Sequence, residues 1–172
     1  MGKPRFWLRP GQVASPAGRI SRLQYFVYGL ILAVIYLTAF LALDVNHVFS
    51  VNADGQLADT SIVGAVCYGL VQLSFAWFIF ANAVKRTHDL NWSGWVALLV
   101  VFDLPFDVAL GIAREFTTLP PEVSTIKTVV DTVGKFGAMG IGLFLTFGQG
   151  KRGKNKYGPD PLQPPAPPIE VF

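Results

Sequence analysis

Two stretches of this chain carry no charge for about as long as a bilayer is thick. Tyr25 to Leu43 runs 19 residues without Asp, Glu, Lys or Arg, and Thr60 to Val84 runs 25. At ~1.5 Å of rise per residue, such helices match the ~30 Å hydrocarbon core of a membrane. A helix apolar all round needs cover on every side, which lipid supplies and water does not. Composition agrees: 15% of the 172 residues are charged, against about 25% in soluble domains. The one cysteine, Cys67, excludes a disulfide within the chain.

In chain order, residues 1–23 form a basic segment with Lys3, Arg5, Arg9, Arg19 and Arg22 and no acidic residue. Pro4, Pro10 and Pro16 discourage a continuous helix there. Phe6 and Trp7 between cations suit either a segment resting on anionic headgroups or a disordered tail. The first uncharged run is too long for the ~7–15-residue core of a signal peptide, and no small-x-small site follows it. It is therefore expected to be an uncleaved first span, about 24–43. The second span is expected at 61–84.

A polar hinge, Asn82 to Trp95, follows, and then a third stretch, 92–113, which is long enough to cross but contains Asp103, Pro105 and Asp107. Pro105 should kink or break that helix. Pro120-Pro121 reads as a helix start, with Val123, Ile126, Val130 and Val133 at helical spacing and Ser124, Lys127, Asp131 and Lys135 opposite. A fourth span is expected at 126–148, where Gly134, Ala138 and Gly142 form a row of small residues that admits a neighbouring helix. The tail, 149–172, is basic and then Pro-rich.

With four spans, Lys and Arg number eleven on the side of the termini and the hinge and two on the other, with Lys135 inside a span. The positive-inside rule then puts both termini in the cytoplasm. The expectation is an all-α polytopic membrane protein with a membrane domain over 24–148.

Three constellations could carry chemistry. Gly148-Gln149-Gly150-Lys151-Arg152-Gly153 fits G-x-G-x-x-G and, through Lys154-Asn155, nearly fits a phosphate loop. Such loops need a strand before and a helix after. Here an apolar helix precedes and a Pro-rich tail follows, so we read a flexible basic linker against anionic lipid. His88-Asp89 has the makings of a general base with its carboxylate, but no convergent partner is visible, and pairing of Asp89 with Arg86, Arg19 or Arg22 is the simpler reading. Asp103, Asp107, Asp131 and Lys135 are candidate intramembrane polar residues. A charge at mid-bilayer costs ~2.5–3.5 kcal/mol or more. Asp103 reads as the deepest, with Lys135 as a partner; Asp131 and Lys135 also have the spacing of a local pair.

Three separated motifs resemble one family. They are Gly18-Arg19-Ile20-Ser21-Arg22 with Tyr25-Phe26; Lys85-Arg86-Thr87-His88-Asp89 with Trp92-Ser93-Gly94-Trp95; and Gly153-Lys154-Asn155-Lys156-Tyr157-Gly158-Pro159-Asp160-Pro161. Their order is similar to that of the YhaH-like small bacterial inner-membrane proteins, domain-of-unknown-function family 805. Lys85-Arg86-Thr87 replaces that family's R-R-L, Val96 replaces its second Trp, and the region after Trp95 is longer. The resemblance implies a multi-pass inner-membrane protein and brings no established activity.

All three motifs fall at cytoplasmic helix ends in the expected topology. They are expected to meet as one face: Arg19, Arg22, Arg86, His88, Asp89, Trp92, Trp95, Asn155, Tyr157 and Asp160. Asp89 and Asp160 would pair with arginines, while Asn155 and Tyr157 would hydrogen-bond the hinge. The expected role is non-enzymatic, by helix association or as an accessory subunit of a membrane assembly. The alternative is a small-solute or proton channel component using the intramembrane charges. No catalytic residue, cofactor or metal is expected. The expected partners are the bilayer, anionic headgroups at the basic flanks, and a second copy or larger membrane complex, with no nucleic acid.

Overall fold

The computed structural model describes residues 6–45, 62–102, 104, 107–110, 113 and 120–163. His47, Asp103, Pro105 and the Pro-rich tail from 164 lie outside the described residues. The described chain is helical: α1 (Pro10–Ala14), α2 (Arg22–Val45), α3 (Ile62–Asp89), a 3-10 helix η1 (Gly94–Val100) and α4 (Pro121–Phe147). Three helices are long and apolar enough to cross a membrane, over Arg22–Leu43, Ile62–Asp89 and Thr125–Phe147.

Local chemistry sets the helix ends. Pro10 and Pro121 each occupy a first-turn position, where the missing N–H costs nothing. Ser21 and Gln24 cap the start of α2 reciprocally: the Gln24 amide donates to Ser21 Oγ, and the Ser21 amide donates to Gln24 Oε1 at 2.9 Å. At the end of α3, Asn91 takes a left-handed φ of 63°. The Trp92 amide then reaches Thr87 O at 2.9 Å and the Asn91 amide reaches His88 O at 3.0 Å. This is a Schellman termination, with Asn in the position glycine usually fills.

Two sequence expectations change here. The polar stretch from Asn82 to Asp89 is not a hinge between helices but the last two turns of α3. The turn comes only at Leu90 and Asn91. The stretch 92–113 is interrupted, as a kink or break was expected, but among the described residues the interruption comes at Val101 and Phe102, ahead of Pro105: η1 precedes it, and residues 104, 107–110 and 113 after it are helical. Gly94 explains how η1 starts so close to α3, since a Cβ there would lie 3.0 Å from Val84 Cγ1 and 3.2 Å from His88 Nε2.

α3 is the central element, and α1, α2, η1 and α4 all pack on it. A buried apolar cluster joins Ala83, Val84, Ala97 and Leu145, with Tyr25, Phe80, Leu90, Val100 and Ile141 around it. It therefore sits at the charged end, where the start of α2 and the ends of α3 and α4 converge. Away from that end, α2 and α3 are joined by polar glue. Tyr36 donates to Gln72 Oε1 at 2.7 Å, Gln72 Nε2 donates to Tyr68 at 3.0 Å, and Tyr36 stacks on Phe75. In hydrocarbon such groups need internal partners, and here they have them. Elsewhere the helices present bare apolar faces, among them Leu30, Val34 and Ile35 on α2 and Val129, Val133 and Phe136 on α4.

Described residues between α3 and α4 touch α4 at two well-separated levels. Trp92 stacks on Phe144 with ring centres 4.9 Å apart, while Asp107 meets Lys127 at 2.6 Å. From Lys127 to Phe144 an α-helix rises ~26 Å.

Candidate functional site: the charged end

The end where the three long helices converge is held by three buried charges. Arg19 follows Gly18, whose φ of 93° turns the chain toward α3, and the Ile20 amide bonds Lys85 O. Arg19 donates to Asp89 Oδ1 through Nε at 3.2 Å and through a terminal nitrogen at 2.9 Å. Its other donors reach the carbonyls of Gly153 at 2.7 Å, Lys151 at 2.5 Å and Gly158 at 3.3 Å. Arg86 donates to Asp89 Oδ2, to Leu145 O at 2.7 Å and to Gly148 O. The last two are carbonyls that the end of α4 leaves without intrahelical partners, so Arg86 caps that helix as well as neutralising Asp89. Arg86 is fully buried, and its planar fork serves a carboxylate and two carbonyls at once.

Lys85 makes a parallel attachment on the other side of α3. Its ammonium donates to the carbonyls of Gln12 and Val13, at 2.8 and 2.9 Å, and so closes the C-terminal end of α1. Gln24 ties the segment before α1 down through Phe6 O at 2.7 Å.

The third motif closes over this knot as a tight turn. Asn155 and Gly158 exchange backbone hydrogen bonds, and the Tyr157 amide donates to Asn155 Oδ1. Asn155 Nδ2 reaches back to His88 O at 2.8 Å, while the Tyr157 ring lies flat on His88 at 3.7 Å and 9°. His88 Nδ1 lies 3.1 Å from Gly18 O. One residue of α3 thus touches both other motifs.

Several predicted partnerships differ in detail. Asp160 accepts from the amides of Gly153 at 2.8 Å and Leu162 at 2.9 Å and forms no ion pair with an arginine among the described residues. Burial alone raises its pKa, but the Leu162 and Gly153 amides, with Arg19 and Arg152 nearby, more than reverse this and leave it below the ordinary carboxylate value. Tyr157 meets α3 by stacking rather than by a side-chain hydrogen bond. Arg22 is exposed beside the knot and makes no ion pair among the described residues. Trp92 packs on α4, whereas Trp95 is 77% exposed.

At the far end, Lys127 sits between Asp107 at 2.6 Å and Asp131. Asp131 therefore pairs with the lysine one turn before it and not with Lys135, which is exposed. Asp103 lies outside the described residues. No group of three His, Cys, Asp or Glu able to hold a metal occurs among the described residues.

The Gly148–Gly153 loop is built opposite to a phosphate loop. It follows a helix instead of a strand, and the carbonyls of Gly148, Lys151 and Gly153 face guanidinium groups.

A family model described as "Protein of unknown function (DUF805)" matches residues 13–159. The chain belongs to the DUF805 family. No curated protein and no solved structure matches it. In this DUF805 member the matched segment opens inside α1 and closes at Pro159, so it spans the whole Arg19–Asp89–Arg86 knot and the Asn155–Gly158 turn.

Residues absent from the sequence reading of this face are Gln24, Lys85 and Gly150. The Ser21-x-x-Gln24 spacing is a capping-box signal readable from sequence. Lys85 and Gly150 carry no such signal, because their roles depend on segments far away in the chain.

Proposed function

We propose that this DUF805 protein is an integral protein of the bacterial inner membrane. It crosses four times, has both termini in the cytoplasm, and works by association instead of catalysis. The first, second and fourth crossings are α2, α3 and α4. The third is the interrupted stretch that includes Trp92, η1 and Asp107, supported by the ~26 Å of α4 that separates its contacts with Trp92 and Asp107. The lysines and arginines of the charged end favour the cytoplasmic side for that end.

The observation that carries the non-catalytic reading is how fully the site is engaged with itself. Both Asp89 oxygens are taken by arginines, Tyr157 covers one face of His88, and Asn155 is spent on His88 O. A catalytic group needs room to meet a substrate, whereas these groups fasten three chain segments together. The bare apolar faces of α2 and α4 are then available to lipid and to other helices.

Purification of the full chain in mild detergent, followed by native mass analysis, tests association. A stable oligomer or a co-purifying membrane protein is expected, and a clean monomer at all detergent levels refutes it. A reporter fused after Phe172 that is active outside the inner membrane refutes the topology.

A further inference from the structure

Beside the knot is a cavity of about 310 Å³ with a charge imbalance in its walls. Four cationic residues line it, Arg22, Arg86, Lys151 and Arg152, against two acidic ones, Asp89 and Asp160. Both carboxylates are already engaged, Asp89 by two arginines and Asp160 by two backbone amides. Arg22, Lys151 and Arg152 make no ion pair among the described residues and are exposed. The loop turns its Lys151 carbonyl inward to Arg19, while Lys151 and Arg152 both line the cavity and are exposed.

We infer that this cavity binds a phosphate group, carried by an anionic lipid headgroup or by a soluble phosphate compound. Excess positive charge in a recess with low-dielectric walls concentrates an anion more strongly than the same charges on an open surface. Arg22 supplies a planar fork and Lys151 a point charge, the two kinds of donor that phosphate oxygens take. Leu23 and Leu162, also in the lining, are 58% and 71% exposed. They give the rim an apolar character that suits the glycerol end of a lipid. The cavity opens where α2 begins, the level at which headgroups stand if α2 crosses the membrane. The headgroup form rests on the membrane reading above, and the soluble-phosphate form does not.

The test uses the full chain in detergent and in nanodiscs. One arm measures retention of phosphatidylglycerol against phosphatidylcholine by native mass spectrometry. The other measures the thermal shift with inorganic phosphate and pyrophosphate in the absence of anionic lipid. Lipid retention without a shift identifies a headgroup, and a shift without lipid preference identifies a soluble phosphate. Neither response overturns the site. The triple variant Arg22→Gln, Lys151→Gln, Arg152→Gln should weaken the responding arm by about tenfold or more, since each cation near a membrane surface is worth ~1 kcal/mol. Lys154→Gln with Lys156→Gln removes tail charges outside the cavity and should leave it within about twofold. Equal loss in both variants means diffuse surface attraction and also overturns the site. Protein that stays soluble without detergent sinks the membrane reading while leaving the phosphate arm intact.

Discussion

The backbone of Gly150 lies directly against the buried carboxylate of Asp89. A Cβ built at Gly150 would fall 1.9 Å from Asp89 Oδ2 and 2.7 Å from its Cγ. The carboxylate cannot move aside, because Arg19 and Arg86 hold its two oxygens. Gly150 is needed here for close approach and not for a left-handed φ.

Gly150→Ala should therefore push the 148–153 loop off the knot. Overpacking costs about 1–3 kcal/mol and occasionally more. We expect a lower thermal midpoint in detergent and faster proteolysis after Gly148. Gly153→Ala is the informative comparison. Its side chain would meet nothing within 4 Å, and its cost comes only from a φ of 77°. A Gly150→Ala protein as stable as wild type would mean the loop does not dock on Asp89.

Arg86→Lys should be far from conservative. Arg86 serves Asp89, Leu145 O and Gly148 O together, and an ammonium cannot span that fork. Each charge-assisted hydrogen bond lost is worth about 1.5–3 kcal/mol. Because two of the acceptors close α4, hydrogen exchange should rise in the last turn of α4 as well as around Asp89. Exchange rising only at Asp89 would show that Arg86 does not cap α4.

The long apolar helices were legible because length and absence of charge are local properties. That three motifs share an end was legible because each sits at the edge of an apolar run. The extent of α3 was not. Lys85, Arg86 and Asp89 read as a break, yet each is satisfied by a distant segment: Gln12 and Val13 for Lys85, Leu145 and Gly148 for Arg86, and Arg19 for Asp89. A helix that gains those partners need not stop. Asn91 then ends it with a left-handed turn, a signal present in the sequence but hidden behind the charges. Asp160 shows the reverse error: a carboxylate after a glycine-rich turn was expected to seek arginines, and backbone amides were nearer.

Acid should loosen the tail turn through Asp160. Its pKa in the folded chain is depressed, so the folded state binds its proton less readily than the unfolded chain does. That stabilisation is fully present above the unfolded carboxylate value of ~3.9 and fades as pH falls through the lower folded value. Hydrogen exchange at Gly153 and Leu162, corrected for intrinsic rates, should rise below about pH 4 in wild type. In Asp160→Asn it should be elevated already at pH 7 and respond little to acid. Parallel profiles for the two proteins would remove Asp160 as the cause.

Lys127 poses the sharpest question at the far end, because among the described residues it alone neutralises Asp107 and Asp131. Its side chain is 10% exposed, against 29% for Asp107 and 19% for Asp131. One Asp131 oxygen is buried without a partner among the described residues. Lys127→Met leaves both carboxylates without their cation. Removing one member of a buried ion pair costs about 3–5 kcal/mol, and the partial exposure here reduces that to roughly half or less. Adding Asp107→Asn and Asp131→Asn should restore most of the loss, because the cost is uncompensated charge and not missing packing. If a triple variant with wild-type thermal stability also keeps the oligomer or co-purifying partner of the wild type, the cluster serves as a staple between α4 and the helical residues 107–110. If stability returns while proton or solute flux in liposomes is lost, these charges carry a transport role and the association reading is incomplete. Failure of the triple variant to regain stability would show that Lys127 holds α4 by packing, and the electrostatic account of this end would fall.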